Sequence, residues 1–193
     1  MTRGRVVALL SGLAIAAAPL LSAQEVISSG RVREGRLSFD GHATTGDFVG
    51  ATTSVTGEMR GGPALGGVTG FVEAQVATLT TGNAHRDRDL NSSLESGRFP
   101  TMRYDLTGVV PGPVEGDSQR VTLLGRLTIH GVTRDEQLSA ILHRAPGAVR
   151  LTTSFQLNLA DHHIGGLTKM LGILRMDPEI QVHVDVTFAQ AAP

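Results

Sequence analysis

The segment "EIQVHVDVTF" near the C-terminus alternates without a break: Ile180, Val182, Val184, Val186 and Phe188 are apolar, and Gln181, His183, Asp185 and Thr187 between them are polar. A period of two places every apolar side chain on one face of an extended strand, and that face must be covered. The pattern returns in "VRLTTSFQLNL", with Val149, Leu151, Phe155, Leu157 and Leu159 dry and Arg150, Thr152, Ser154, Gln156 and Asn158 wet. It returns in Met102, Tyr104 and Leu106 of "MRYDL", and in Val121, Leu123, Leu127 and Ile129 of "VTLLGRLTI". Weaker alternation surrounds Leu37 and Phe39, runs from Phe71 to Leu79, and runs from Leu138 to Leu142. Turn chemistry separates these runs in "GGPALGG" (61–67), "PGPVEGD" (111–117), "HGVTRDE" (130–136) and "APG" (145–147). Strands joined by such short loops are antiparallel neighbours, and about eight of them with one apolar face each form a sandwich or a closed barrel. The 24 glycines, which permit bends, favour the barrel.

Two segments depart from this period. Asn83 predicts the N-cap of a short helix through Leu94, with Asp87 and Asp89 near the start, where the helix dipole favours acids. In "GGLTKMLGILRMDPE", Leu167, Met170, Leu171 and Leu174 stand at helical spacing. That spacing fits either an apolar lid or a helix or loop that plugs one end of the barrel.

At the N-terminus, Arg3 and Arg5 precede an apolar run from Val6 to Leu21, followed by the small residues Ser22 and Ala23. This is the pattern of a secretory signal peptide over residues 1–23, with cleavage before Gln24. It leaves residues 24–193 as one domain, exported to the periplasm or secreted. The chain has no Cys, so disulfides are absent and packing must hold the fold in an oxidising compartment. With 17 Lys and Arg against 18 Asp and Glu, the net charge of −1 offers no basic face for nucleic acid. Low net charge and exposed sheet surface leave a homodimer and transient membrane contact open.

The order of "GDFVG" (46–50), "TLTTGNAHRDRDL" (78–90), "FPTMRYDLTGV" (99–109), "GRLTIHGVTRDEQL" (125–138) and the final alternating strand resembles the YceI-like family over nearly the whole mature chain. That resemblance implies an exported, lipocalin-like antiparallel β-barrel whose long apolar interior holds a polyisoprenoid or a similar amphiphilic chain. The sequence departs from the family where it has Asp89 in place of a histidine, and where Leu159, Ala160, Asp161, His162 and His163 replace an Arg-x-Asp-aromatic-Gly pattern. Aromatic residues make up 4% of the chain, with no Trp and one Tyr, so the expected lining is mainly aliphatic.

Together these readings predict a carrier or sequestering protein that holds one isoprenoid or fatty-chain lipid, without a cofactor and without covalent chemistry. The predicted lining is Met102, Tyr104, Leu106, Leu123, Leu127, Phe155, Leu157, Val182, Val184 and Val186. Arg86 and Asp161 are the head-group candidates, since a guanidinium donates in fork geometry to anionic oxygens. Read structurally, Arg86 and Asp87 instead pin the helix to its neighbours. Asp161 and His162, with His163, His42, His85 and His130 elsewhere, raise the alternative of a small metal- or redox-linked enzyme. No His-x-x-x-His pair, nucleophile elbow or P-loop supports it. A third reading is a structural or interaction barrel whose interior is filled by side chains.

Overall fold

The computed structural model describes residues 27–44, 46–165, 168–169 and 174–190. The predicted leader and cleavage site lie outside them, as do Leu167, Met170 and Leu171 of the expected lid. The strands are β1 (Gly30–Ala43), β2 (Gly46–Thr52), β3 (Val55–Arg60), β4 (Thr69–Gln75), β5 (Thr101–Glu115), β6 (Ser118–Ile129), β7 (Val132–Ala145), β8 (Ala148–Asn158), β9 (Thr168–Lys169), β10 (Leu174–Arg175) and β11 (Glu179–Gln190). Helix α1 spans Ala84–Ser93. The hydrogen-bonded order is β11-β8-β7-β6-β5-β4-β3-β1-β2, and β11 also pairs with β1, which closes the sheet on itself. All the pairings within it are antiparallel.

Eight staves make the barrel, because β2 and β3 act as one bent strand along β1. Leu37 of β1 faces Thr52 of β2, and Gly30 of the same strand faces Met59 of β3. The bend between them has a local cause. Thr52 Oγ1 accepts a hydrogen bond from the Ser54 amide at 2.9 Å, and the Val55 amide donates to the Thr53 carbonyl at 2.9 Å. Those two amides are therefore satisfied locally and leave the ladder.

The period-two reading holds along the longest strands. In β6, Gln119, Val121, Leu123, Gly125, Leu127 and Ile129 are buried, and in β11 so are Ile180, Val182, Val186 and Phe188. The turn segments are shorter than their composition suggested. Between β6 and β7 only His130 and Gly131 form the turn, with φ of 52° and 74°, the two left-handed residues that a tight hairpin needs. Residues 111–115 of "PGPVEGD" stay in β5, which absorbs register shifts between Leu106 and Gly108 and between Pro111 and Val114.

Helix α1 starts where expected: Asn83 Oδ1 accepts from the amides of His85 at 3.0 Å and Arg86 at 3.2 Å. In the segment read as an apolar lid or as a helix or loop plugging the barrel end, the described positions Leu174 and Arg175 pair with Lys169 and Thr168 as a two-residue ladder.

Buried side chains fall into two clusters along the barrel axis. One is gathered around Met59, Val68, Val109, Leu142, Val149 and Phe188, towards the β7–β8 turn. The other is gathered around Phe39, Leu79, Leu94, Leu127, Ile129, Leu157, Ile180 and Val182, beneath α1.

Candidate functional site

The α1 end of the barrel is hollow. A chamber of about 630 Å³ runs down from α1, walled by residues of β1 to β8 and β11. Its exposed rim carries Thr44 of the β1–β2 turn together with Asn83 and His85 of the helix region. Arg86, Asp89 and Leu90 complete the α1 side. Deeper in, the wall is almost wholly hydrocarbon: Leu37, Phe39, Leu79, Leu127, Ile129, Leu157, Ile180 and Val182 among others.

The two deep hydroxyls are both committed to the backbone. Tyr104 Oη donates to the Glu136 carbonyl at 3.0 Å, and Thr153 Oγ1 donates to the Ser139 carbonyl at 2.7 Å. Burial, reinforced by the charge of Glu136, pushes the Tyr104 phenol up to about 12, so it remains a neutral donor. A wall whose polar atoms are already paired gives water little to bind, and such cavities favour apolar occupants.

Glycine keeps the lumen wide at two positions. A Cβ at Gly50 would run into the Phe39 ring, its neighbour across the β1–β2 ladder. A Cβ at Gly125 would meet Tyr104 Cζ at 2.7 Å. The Phe39 ring thus takes the space a side chain at Gly50 would fill, and the outer end of the Tyr104 ring lies over Gly125. Phe39 also meets Phe48 edge to face, with centroids 6.1 Å apart.

Nine of the ten residues expected in the lining stand in this wall: Met102, Tyr104, Leu123, Leu127, Phe155, Leu157, Val182, Val184 and Val186. Leu106 does not. It borders a second hollow of about 70 Å³ at the far end, next to Met59, Val109 and Phe188. Leu106 keeps the inward phase of Met102 and Tyr104, but it lies one further step down the axis, opposite Gly70 and Gly125. The predicted lining left out Ile180, although it stands in the clearest alternating run, and also Phe39, Phe48, Leu79, Leu90 and Leu94. The N-terminal strands alternate weakly, and helix residues carry no period-two signal.

The clustered charges of "RDRD" do not act as one group. Asp87 Oδ1 accepts from the Thr81 amide at 2.7 Å and from Thr81 Oγ1 at 2.6 Å, tying the helix to the chain that enters it. Arg86 instead lines the chamber, its guanidinium carbon 4.2 Å from the centre of the Phe48 ring. Asp89 faces His85 one helical turn away at 3.3 Å.

Asp161 is not at the chamber. It lies on the turn Leu159–His162, its side chain 54% exposed and 3.8 Å from Arg134. His162, next to it, points the other way and is 1% exposed, with Nδ1 3.3 Å from the Val132 carbonyl. Burial holds its imidazole below the ordinary value of 6.5, partly offset by hydrogen bonds to the carbonyls of Val132 and Ile129. The Asp161 and His162 side chains therefore diverge, because the turn sends successive residues to opposite sides. Among the described residues no group of three His, Cys, Asp or Glu side chains could hold a metal ion. His162 serves a packing role: its carbonyl faces His130 Nδ1 at 3.2 Å, and His130 Nε2 faces Glu95 at 3.2 Å, joining the turn to the chain leaving α1.

No curated protein matches the chain. Several solved structures share its fold. A polyisoprenoid binding domain from Saccharophagus degradans, implicated in plant cell wall breakdown, superposes with a TM-score of 0.70 at 13% identity, over 86% of this chain and 99% of that one. BcnA from Burkholderia cenocepacia gives 0.64 at 14% identity, over 79% and 95%. A Campylobacter jejuni YCEI protein gives 0.51 at 18%, over 64% and 73%. The closed eight-stave barrel with one helix is thus a shared architecture, and, matched by the YceI-like domain over residues 31–188, the chain belongs to that family.

Proposed function

We propose that this protein is an exported carrier or sequestering protein that holds one isoprenoid or other long-chain amphiphile in the chamber beneath α1, without covalent chemistry. The observation that carries this reading is the chamber itself: about 630 Å³, mostly hydrocarbon-walled, with Arg86 and Asp89 on its α1 side. That volume lies within the range of about 300–1,000 Å³ usual for small-molecule sites. The polyisoprenoid binding domain of Saccharophagus degradans, which shares the fold, supports a chain-like ligand.

Energetics support it as well. Each buried methylene contributes about 0.8 kcal/mol, so a chain of about fifteen carbons gains on the order of 12 kcal/mol. Association costs on the order of 4 kcal/mol or more. Micromolar or tighter binding then needs no strong polar contact. Arg86, stacked on Phe48 at the rim, is the residue to meet an anionic head group. Export rests on the leader-like residues 1–23, and a soluble carrier there would work in the periplasm or outside the cell.

Native mass spectrometry of the protein purified from its own exported fraction tests this, followed by solvent extraction of whatever denaturation releases. A near one-to-one amphiphile on a chain beginning at Gln24 is expected. A protein of bare mass that refuses added lipid would overturn the reading.

A further inference from the structure

The large chamber and the small far-end hollow lie one behind the other in the lumen. Four residues border both: Val72, Tyr104, Leu123 and Leu151. They come from β4, β5, β6 and β8, so side chains from several sides of the barrel ring the lumen where the two hollows meet.

The members of this ring differ in freedom. Tyr104 is held at both ends, its ring lying over Gly125 and its hydroxyl bonded to the Glu136 carbonyl. Leu123 is buried among the far-end core residues, and Leu151 packs against them. Neither leucine has a polar anchor, and both meet the chamber with branched methyl ends.

We propose that this ring is a chain-length stop: the tail of the bound amphiphile ends against Leu123, Leu151, Val72 and the Tyr104 ring. The inference rests on the carrier reading and adds what limits its ligand. Below the limit each added methylene buries fresh surface and tightens binding about fourfold. Beyond it, further carbons have no room inside and stay at the rim in water, so the gain ends. The small hollow lies directly behind the ring, which makes the two leucines the residues whose truncation lengthens the accessible path.

The test uses delipidated mature protein and a series of straight-chain fatty acids of increasing length, each displacing a bound fluorescent fatty probe. For the wild type, affinity is expected to rise about fourfold per methylene to a limiting length and then level off. In Leu151→Ala, and independently in Leu123→Ala, the rise should continue to longer acids, while Leu151→Phe should end it sooner. Leu90→Ala, which opens the same chamber at α1, should leave the limit where it was; circular dichroism checks that each variant folds. A limit unchanged in both alanine variants, or moved equally by Leu90→Ala, would overturn the stop while leaving the carrier reading intact. If the probe binds but no wild-type limit is found, the stop is likewise wrong. If neither probe nor acid of any length binds the wild type, the carrier reading falls and takes the stop with it.

Discussion

At the far end of the barrel, Met59, Val68, Val109, Val149 and Phe188 fill the lumen to leave a hollow of only about 70 Å³; at the α1 end the same strands surround about 630 Å³. The difference does not lie in how hydrophobic the two ends are, since the inward faces alternate in the same way throughout. It lies in what closes each end and in where the large side chains lie. A 3-10 turn, Leu65–Gly67, packs against β5 at the far end, with Leu65 and Val68 bordering the small hollow. At the other end α1 borders the open chamber through Arg86, Asp89 and Leu90, and the Phe39 ring takes the space beside Gly50. Packing to native density is what a stable core demands, so an unfilled half costs stability that only a ligand or a function explains.

Substitutions can break or sharpen this contrast. The largest effect is expected from Leu157→Arg, which sets an unpaired charge in the chamber wall: lipid uptake should vanish or the barrel should lose on the order of 4 kcal/mol or more, measured by probe binding and urea unfolding. Gln156→Arg, one residue away on the wet face, should stay within about 0.5 kcal/mol of wild type. Uptake by Leu157→Arg at wild-type strength would show that the chamber wall is misplaced.

Next in size is a matched pair of truncations. Phe188→Ala removes a ring from the filled half and should cost about 3–5 kcal/mol. Phe155→Ala removes one that already borders open space, so roughly half that loss is expected in the same urea titration. Equal losses would mean that the two halves are equally packed.

Smaller again is Gly50→Ala. In a filled core the new Cβ against Phe39 would cost about 1–3 kcal/mol by overpacking. Here the ring can swing into the chamber, so stability should fall by less than about 1 kcal/mol while binding of the longer probes weakens.

The smallest expected effect is a pH dependence confined to the α1 end. His162 titrates below 6.5 in the native state because it is buried. As pH falls through 6.5 the unfolded chain takes up a proton that the folded one refuses, so stability declines from there downward until the native group itself protonates. His162→Gln should flatten that part of the urea midpoint profile, and an unchanged slope would assign the decline to other groups.

Much of this was legible in the sequence because a barrel stave has a short period. Val182, Val184 and Val186 announce both a strand and its inner face, and Asn83 announces the start of α1. What alternation cannot reveal is height along the axis. Leu106 and Tyr104 share a phase, yet the register of β5 against β6 puts Leu106 at the far end only, while Tyr104 borders both hollows. Phe39 was hidden for a related reason: its place in the wall depends on having Gly50 as a ladder partner, a relation between strands that neither strand carries alone. Asp161 and His162 misled because neighbouring titratable residues look like a site in one dimension, whereas the turn at Leu159–His162 buries one and exposes the other.

The central claim is that the α1 half is an unfilled apolar chamber for a single chain. Its most direct test is titration of delipidated mature protein with a fluorescent fatty probe, with Leu157→Arg in parallel. Saturation at one probe per barrel, lost in a folded variant, is the predicted result; no uptake by the wild type at any probe concentration below its own aggregation would contradict the account.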